Sequence, residues 1–185
     1  MKEQLKLWRD ANKKEQWHDA PAKVKVEIRN DIEWGLCHMH IEFTLGLPPQ
    51  AAAYDVLTNP DNQLYSRVIN HRELMFSLAY CWQVHYGKMK MMFMEMFEGN
   101  YTVEPIYVDS ERLCKHMKPK SREEYRKCSG GQGRIASKVE MNQVFKPSSL
   151  FNLPPLSWYI LSITIKTTKT LVQDLQDRSA MIRGV

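Results

Sequence analysis

Cys37-His38-Met39-His40-Ile41-Glu42-Phe43-Thr44-Leu45, followed at once by Gly46-Leu47-Pro48-Pro49, is the stretch on which the fold turns. Met39, Ile41, Phe43 and Leu45 alternate with polar partners, which is the period of a strand with one buried face. Gly46 to Pro49 stops that strand. Proline is tolerated in a first helical turn, so a short helix is expected from Ala51 to Leu57. Asn59-Pro60-Asp61-Asn62 is turn chemistry. The unit is strand, tight turn, short helix, turn.

Towards the C-terminus, Leu74 to Tyr86 is uncharged, aromatic-rich and closed by Gly87, and residues 72–87 have room for one or two strands. Lys88 to Phe97 is rich in Met and is open to a helix by intrinsic propensity, but the strand reading is preferred because Tyr101 to Val108 follows at hairpin distance across Glu98-Gly99-Asn100. Pro105 places that second strand at an edge or a bulge. Residues 109–133 form a charged, then glycine-rich insertion, and Ile135 to Phe145 reads as the last strand. After the break at Leu153-Pro154-Pro155, apolar residues recur at helical spacing from Leu156 to about Met181, which predicts a long amphipathic helix. Towards the N-terminus, residues 1–33 are polar with widely spaced apolar residues. Leu5 and Trp8 share a helix face, and Pro21 ends what precedes it. They are read as a polar, helical or loosely attached arm, with the domain proper spanning residues 34–182.

The chain of 185 residues carries a net charge of +5 and 43% hydrophobic residues. That is enough for one buried core, and mildly basic rather than the compact basic footprint of a nucleic-acid reader. The first fifteen residues alternate in charge and show no secretory signal. Cys37, Cys81, Cys114 and Cys128 lie far apart in sequence, which suits reduced thiols and an intracellular, cytoplasmic or nuclear protein. The longest uncharged run, Pro147 to Ile165, is broken by prolines and serines and predicts no bilayer span.

Motifs for chemistry are weak. His38 and His40 project to one side of a strand as half a metal site, without a third ligand nearby. Cys114 and Cys128 flank the insertion, with His116 close by, but no Cys-x-x-Cys pair exists, so inert loop thiols are expected. Ser129-Gly130-Gly131-Gln132-Gly133 lacks the Gly-Lys-Ser/Thr ending and the strand-to-helix context of a phosphate loop. Glu95 and Glu98 have no acid/base partner, and no Gly-x-Ser-x-Gly elbow is present. No catalysis, metal or cofactor is expected. From Arg112 to Lys127 the insertion is the most basic stretch, with Arg112, Lys115, Lys118, Lys120, Arg122, Arg126 and Lys127 against Glu123 and Glu124. It offers contact with an anionic membrane surface or an acidic protein, while its few aromatics argue against nucleic acid.

Three passages carry a family likeness. Leu47-Pro48-Pro49 with Tyr54-Asp55-Val56-Leu57-Thr58-Asn59-Pro60, then Met96-Phe97-Glu98-Gly99-Asn100-Tyr101-Thr102-Val103-Glu104-Pro105, then Leu153-Pro154-Pro155 before the helix resemble the START, polyketide-cyclase and coenzyme-Q-binding superfamily. More narrowly, Trp34-Gly35-Leu36-Cys37-His38-Met39-His40, Tyr125-Arg126-Lys127-Cys128-Ser129-Gly130-Gly131-Gln132-Gly133 and Ser157-Trp158-Tyr159-Ile160 look like a plant-specific family of domains of unknown function, number 220. The likeness covers roughly residues 34 to 178. It implies an α+β helix-grip fold, a curved antiparallel sheet packed on the C-terminal helix, here with an incomplete sheet because residues 72–87 are short. It also implies non-enzymatic binding or transport of a hydrophobic or amphipathic small molecule, a lipid or plant metabolite, in an apolar cavity. Phe43, Met92, Met94, Phe97, Tyr101, Trp158, Tyr159 and Ile163 are the expected walls. The alternative is an interaction module without a sealed cavity, working through Lys115, Lys118, Lys120, Arg122, Arg126 and Lys127.

Overall fold

Half-buried and buried residues alternate without a break from Leu36 to Leu45, so the deciding stretch is a strand with one inward face. The computed structural model describes residues 2–13, 17–29, 35–59, 71–76, 82–87 and 93–184. In chain order they form α1 (Lys2–Asn12), β1 (Lys23–Arg29), β2 (Leu36–Leu45), α2 (Pro49–Ala51) running into a π-helical segment (Ala52–Thr58), β3 (His71–Phe76) and β4 (Trp82–Gly87). There follow β5 (Met94–Tyr107), α3 (Ser110–Leu113), α4 (Arg122–Cys128), β6 (Ile135–Pro147), a 3-10 turn (Ser149–Phe151) and α5 (Leu156–Arg183). The six strands make one curved antiparallel sheet in the order β1-β2-β6-β5-β4-β3.

The inward faces are the alternate residues of neighbouring strands. Cys37, Met39, Ile41, Phe43 and Leu45 of β2 lie beside Val139, Met141 and Phe145 of β6, with Phe97, Tyr101 and Val103 of β5 next in the sheet. α5 covers the β2–β6 part of this face, burying Leu161, Leu171, Val172 and Leu175 against it. The π-helical segment packs at the other half of the sheet and contributes Val56 and Leu57 to the same core. The wide turn closes on the hydroxyl of Thr58, which donates to the Ala53 carbonyl at 2.9 Å. The long C-terminal helix is thus where its apolar period places it. It ends at Gly184, whose left-handed backbone turns the N–H back onto the Ala180 and Met181 carbonyls.

Three expectations are corrected. Residues 23–29 are not part of a loose arm: they pair antiparallel with β2 from Lys23↔Glu42 to Arg29↔Leu36 and form an edge of the sheet. With β3 and β4 supplied by residues 71–87, the sheet reaches six strands instead of a shortened set. Glu98-Gly99-Asn100 is not a hairpin turn, because β5 runs through it as one strand paired with β6 from Met94 to Tyr107. Gly99 is required there by a close approach: a Cβ would lie 2.4 Å from the Tyr86 hydroxyl oxygen and 2.5 Å from the Asn142 carbonyl oxygen. The Tyr86 side chain from β4 lies over the space that a side chain would fill. Pro105 sits beyond Val103, the last β5 residue paired with β4, so its missing N–H costs no ladder bond on that side.

α1 is docked as well. Gln4 of α1 donates to the Gly133 carbonyl at 3.1 Å and accepts from the Ile135 N–H at 3.0 Å, at the start of β6. Trp8 is fully buried, and its indole N–H donates to the Ile135 carbonyl at 3.2 Å. The Arg134 and Arg183 guanidinium groups lie 5.2 and 5.4 Å from the Trp8 ring, within cation–π range.

Gly99→Ala is expected to lower unfolding free energy by about 1–3 kcal/mol through overpacking. Urea denaturation measures this. A cost that does not shrink when Tyr86→Ala is added would mean that the two residues do not compete for the same space.

Candidate functional site

Alternation along β6 turns Gln143 inward between Met141 and Phe145, opposite Met39 of β2 and Gly99 of β5. An amide buried among apolar groups is costly unless its hydrogen bonds are made. Gln143 makes them in two directions. Its Oε1 accepts from the Tyr86 hydroxyl at 3.0 Å, and its Nε2 donates to the Thr168 Oγ1 of α5 at 3.2 Å. All three side chains are buried. Burial holds the Tyr86 phenol protonated, with its pKa pushed well above the ordinary value and further raised by the neighbouring Tyr101. The Tyr86 ring stacks at a tilt on Tyr101 with centroids 4.8 Å apart, and lies 6.4 Å from Phe97. The site is therefore an apolar, aromatic and methionine-lined interior with a phenol, an amide and a hydroxyl at its centre. Each has donor or acceptor capacity beyond these bonds.

The expected wall residues divide. Phe43, Met94, Phe97 and Tyr101 are buried on the inward face. Met92 lies outside the described residues. Trp158, Tyr159 and Ile163 are exposed: α5 turns Ser157, Leu161 and Thr168 towards the sheet and those three large side chains away from it. Small inward residues at the start of the helix let its backbone approach the sheet, so side-chain size does not mark the packed face there. Sequence reasoning missed Tyr86, Gln143 and Thr168. The inward parity of Gln143 with Val139 and Met141 was the signal available.

The basic insertion keeps its expected exposure: Lys115, Lys118, Lys120, Arg122, Arg126 and Lys127 all face solvent. Its two cysteines are not separate thiols. Cys114 and Cys128 form a disulfide with Cα atoms 5.2 Å apart, because the chain between α3 and α4 doubles back. Beneath it, the buried Tyr125 hydroxyl accepts from the Asp109 N–H and donates to the Arg134 carbonyl, each at 3.1 Å. Burial pushes the Tyr125 phenol up to about 12. Burial would also raise Asp109, but hydrogen bonds from the Arg134 side chain and backbone, together with its charge, outweigh this and hold the carboxyl below its ordinary value. Between α1 and α4 lies an open groove of about 750 Å³, lined by charged and polar residues that include Glu3, Lys6, Asp10, Arg122, Arg126 and Gln132.

The remaining candidates resolve as follows. His40 turns outward, bonded to Asn142 at 2.7 Å and Glu42 at 3.4 Å, and among the described residues no group of three metal-ligating side chains converges. Glu95 is held by Lys146 at 3.4 Å. Ser129 to Gly133 leads into β6, without the helix that a phosphate loop needs. Cys37 is buried, which pushes its thiol up to about 11. Among the described residues no helix is long and apolar enough to cross a membrane.

Fold and interior define a helix-grip α+β protein: a curved antiparallel sheet closed by a long C-terminal helix. The chain matches the family described as Domain of unknown function DUF220 over residues 23–81 and 77–185, and it belongs to that family. The two matched stretches meet between β3 and β4, and the first begins at β1, which confirms residues 23–29 as part of the shared domain. No curated protein matches the chain.

Tyr86→Phe leaves the Gln143 oxygen without its donor and is expected to cost about 1–3 kcal/mol at neutral pH. Because the folded-state pKa of Tyr86 is raised, the native state holds its proton more tightly than the unfolded chain. The stability it adds is complete below the unfolded value near 10 and falls as pH rises past it. The variant should therefore lose less stability than wild type between neutral and strongly alkaline pH, followed by circular dichroism. Equal losses would place the phenol in water. Reduction of the Cys114–Cys128 bridge should lower stability by about 3 kcal/mol and speed proteolysis between Ser110 and Gly131; unchanged cleavage would show that the insertion is held without it.

Proposed function

We propose that this protein binds an apolar or amphipathic small molecule, of lipid or metabolite type, between the inner face of its sheet and α5, without transforming it. One observation carries the reading: a phenol, an amide and a hydroxyl, those of Tyr86, Gln143 and Thr168, meet inside an otherwise apolar interior. Small-molecule sites have this composition, apolar walls for affinity and a few polar groups for orientation. Burial of apolar guest surface supplies about 25 cal/mol per Å². The thioethers of Met39, Met94 and Met141 adapt the walls to differing shapes. The likeness to START-type helix-grip proteins, whose sheets grip a helix around a ligand, supports the same reading.

The exposed basic insertion favours a second reading, contact with an acidic protein surface. Tyr125 and the disulfide fix its frame while Lys115, Lys118, Lys120, Arg122, Arg126 and Lys127 remain in solvent. The carrier reading is preferred because a solvated charge run needs no partner, whereas Tyr86, Gln143 and Thr168 keep donor or acceptor capacity inside an apolar interior beyond the bonds they make to one another.

Native mass spectrometry after incubation with a lipid extract should show an added apolar mass that is lost on denaturation. Gln143→Leu strands the Tyr86 and Thr168 hydroxyls and is expected to cost about 1–3 kcal/mol of stability; below its unfolding transition it should take up guests with a polar end about tenfold more weakly, while sparing hydrocarbon-like guests. A bare mass from folded protein, with no uptake from the extract, would sink the carrier reading.

A further inference from the structure

The side chains that α5 turns away from the sheet form a surface of their own. Leu150 of the 3-10 turn is 82% exposed, Leu153 68%, Trp158 66% and Tyr159 65%, with Leu156 and Ile163 about half exposed. Leu156, Tyr159 and Ile163 follow at three- and four-residue spacing and share a helix face. Beside them Phe93 stacks edge-on against Phe151 with centroids 5.1 Å apart, and the Ser148 N–H bonds the Phe93 carbonyl at 3.0 Å, which ties the turn to the foot of β5. Single exposed apolar residues are ordinary; a run of them at one end of a helix marks a contact surface.

The charge pattern says what kind. From Pro147 to Gln173 there is no Asp or Glu, and the charged residues are Lys166 and Lys169, both exposed and lying one to two turns behind Ile163. The nearby Glu95 carboxylate is engaged by Lys146. Leucines and aromatic rings in front, with lysines set back along the helix, match the depth profile of a bilayer interface: acyl chains meet the leucines, the headgroup level suits Trp and Tyr, and lysine stems reach back to anionic phosphates. A second copy of this chain would bring no acidic residue from this stretch to Lys166 and Lys169, since none lies between Pro147 and Gln173.

We propose that the 3-10 turn and the first turns of α5 are a docking surface for anionic phospholipid bilayers. This surface is separate from the basic insertion, which joins the opposite ends of β5 and β6, and it does not depend on a guest in the interior.

The test is co-sedimentation of the full chain with phosphatidylcholine vesicles containing phosphatidylserine, against phosphatidylcholine alone. Binding is expected to favour the anionic vesicles, to weaken with salt and to shift tryptophan emission to the blue. Leu153→Asp with Trp158→Asp should cut binding by about tenfold or more, with helical dichroism and thermal midpoint unchanged because both positions are exposed. Lys166→Glu with Lys169→Glu should abolish the preference for anionic lipid, while Lys118→Glu with Lys120→Glu in the insertion should leave binding as it was. Failure to sediment with the anionic vesicles would overturn the proposal. So would binding that survives Leu153→Asp with Trp158→Asp but falls with the insertion variant. A dimer that those two aspartates dissolve, with no vesicle binding, would assign the patch to self-association and overturn it equally.

Discussion

Gln143 is an amide set into the apolar face of a sheet, and the rest of the interior is arranged around its needs. A buried amide without partners costs more than most side chains contribute, so β4 must deliver Tyr86 to its oxygen and α5 must deliver Thr168 to its nitrogen. Tyr86 reaches it only because the facing position in β5 is Gly99. One polar residue thereby couples the order of three strands to the position of the helix across them. A sheet and helix joined by apolar contacts alone would tolerate sliding; hydrogen bonds with fixed lengths do not.

A second constraint closes the other end. Arg183, at the last turn of α5, is buried against Trp8 and bonded to Asp19 at 3.1 Å. Burial lowers the arginine and raises the aspartate, each towards its neutral form, although their mutual attraction opposes both shifts. Such a pair adds little net stability, yet removing either partner strands a buried charge. Its effect is to specify where the N-terminal segment lies. Gln176 adds to this by donating to the Ala20 and Thr44 carbonyls, which joins α5 to the approach to β1 and to the end of β2.

Legibility in the sequence followed periodicity. β2 and α5 were readable because their apolar residues keep periods of two and of three to four over many residues. β1 also alternates, Lys23-Val24-Lys25-Val26-Glu27-Ile28-Arg29, but its charges and its exposed Val26 and Ile28 disguised an edge strand as a solvated arm. The turn expected at Glu98-Gly99-Asn100 was a local signal overridden by pairing on both sides. The inward direction of Phe43, Phe97 and Tyr101 follows strand parity, whereas Met94 lies before the register shift at the start of β5 and is buried out of phase with them. The directions of Trp158, Tyr159 and Ile163 were not legible, since on a helix packed through Ser157, Thr168 and Ser179 bulk does not report direction. The Cys114–Cys128 pairing depends on how α3 and α4 fold back, which spacing along the chain does not encode.

The docking of α1 against the end of α5 has a mechanical consequence. A load applied between these two segments would act first on the Trp8, Arg183 and Asp19 contacts, peeling two helices apart one contact at a time. Because Gln4 and Trp8 also bond Gly133 and Ile135, part of the load passes into the start of β6, where the long ladder with β5 takes it in shear. The helical seam is the softer element and the sheet behind it the stiffer one.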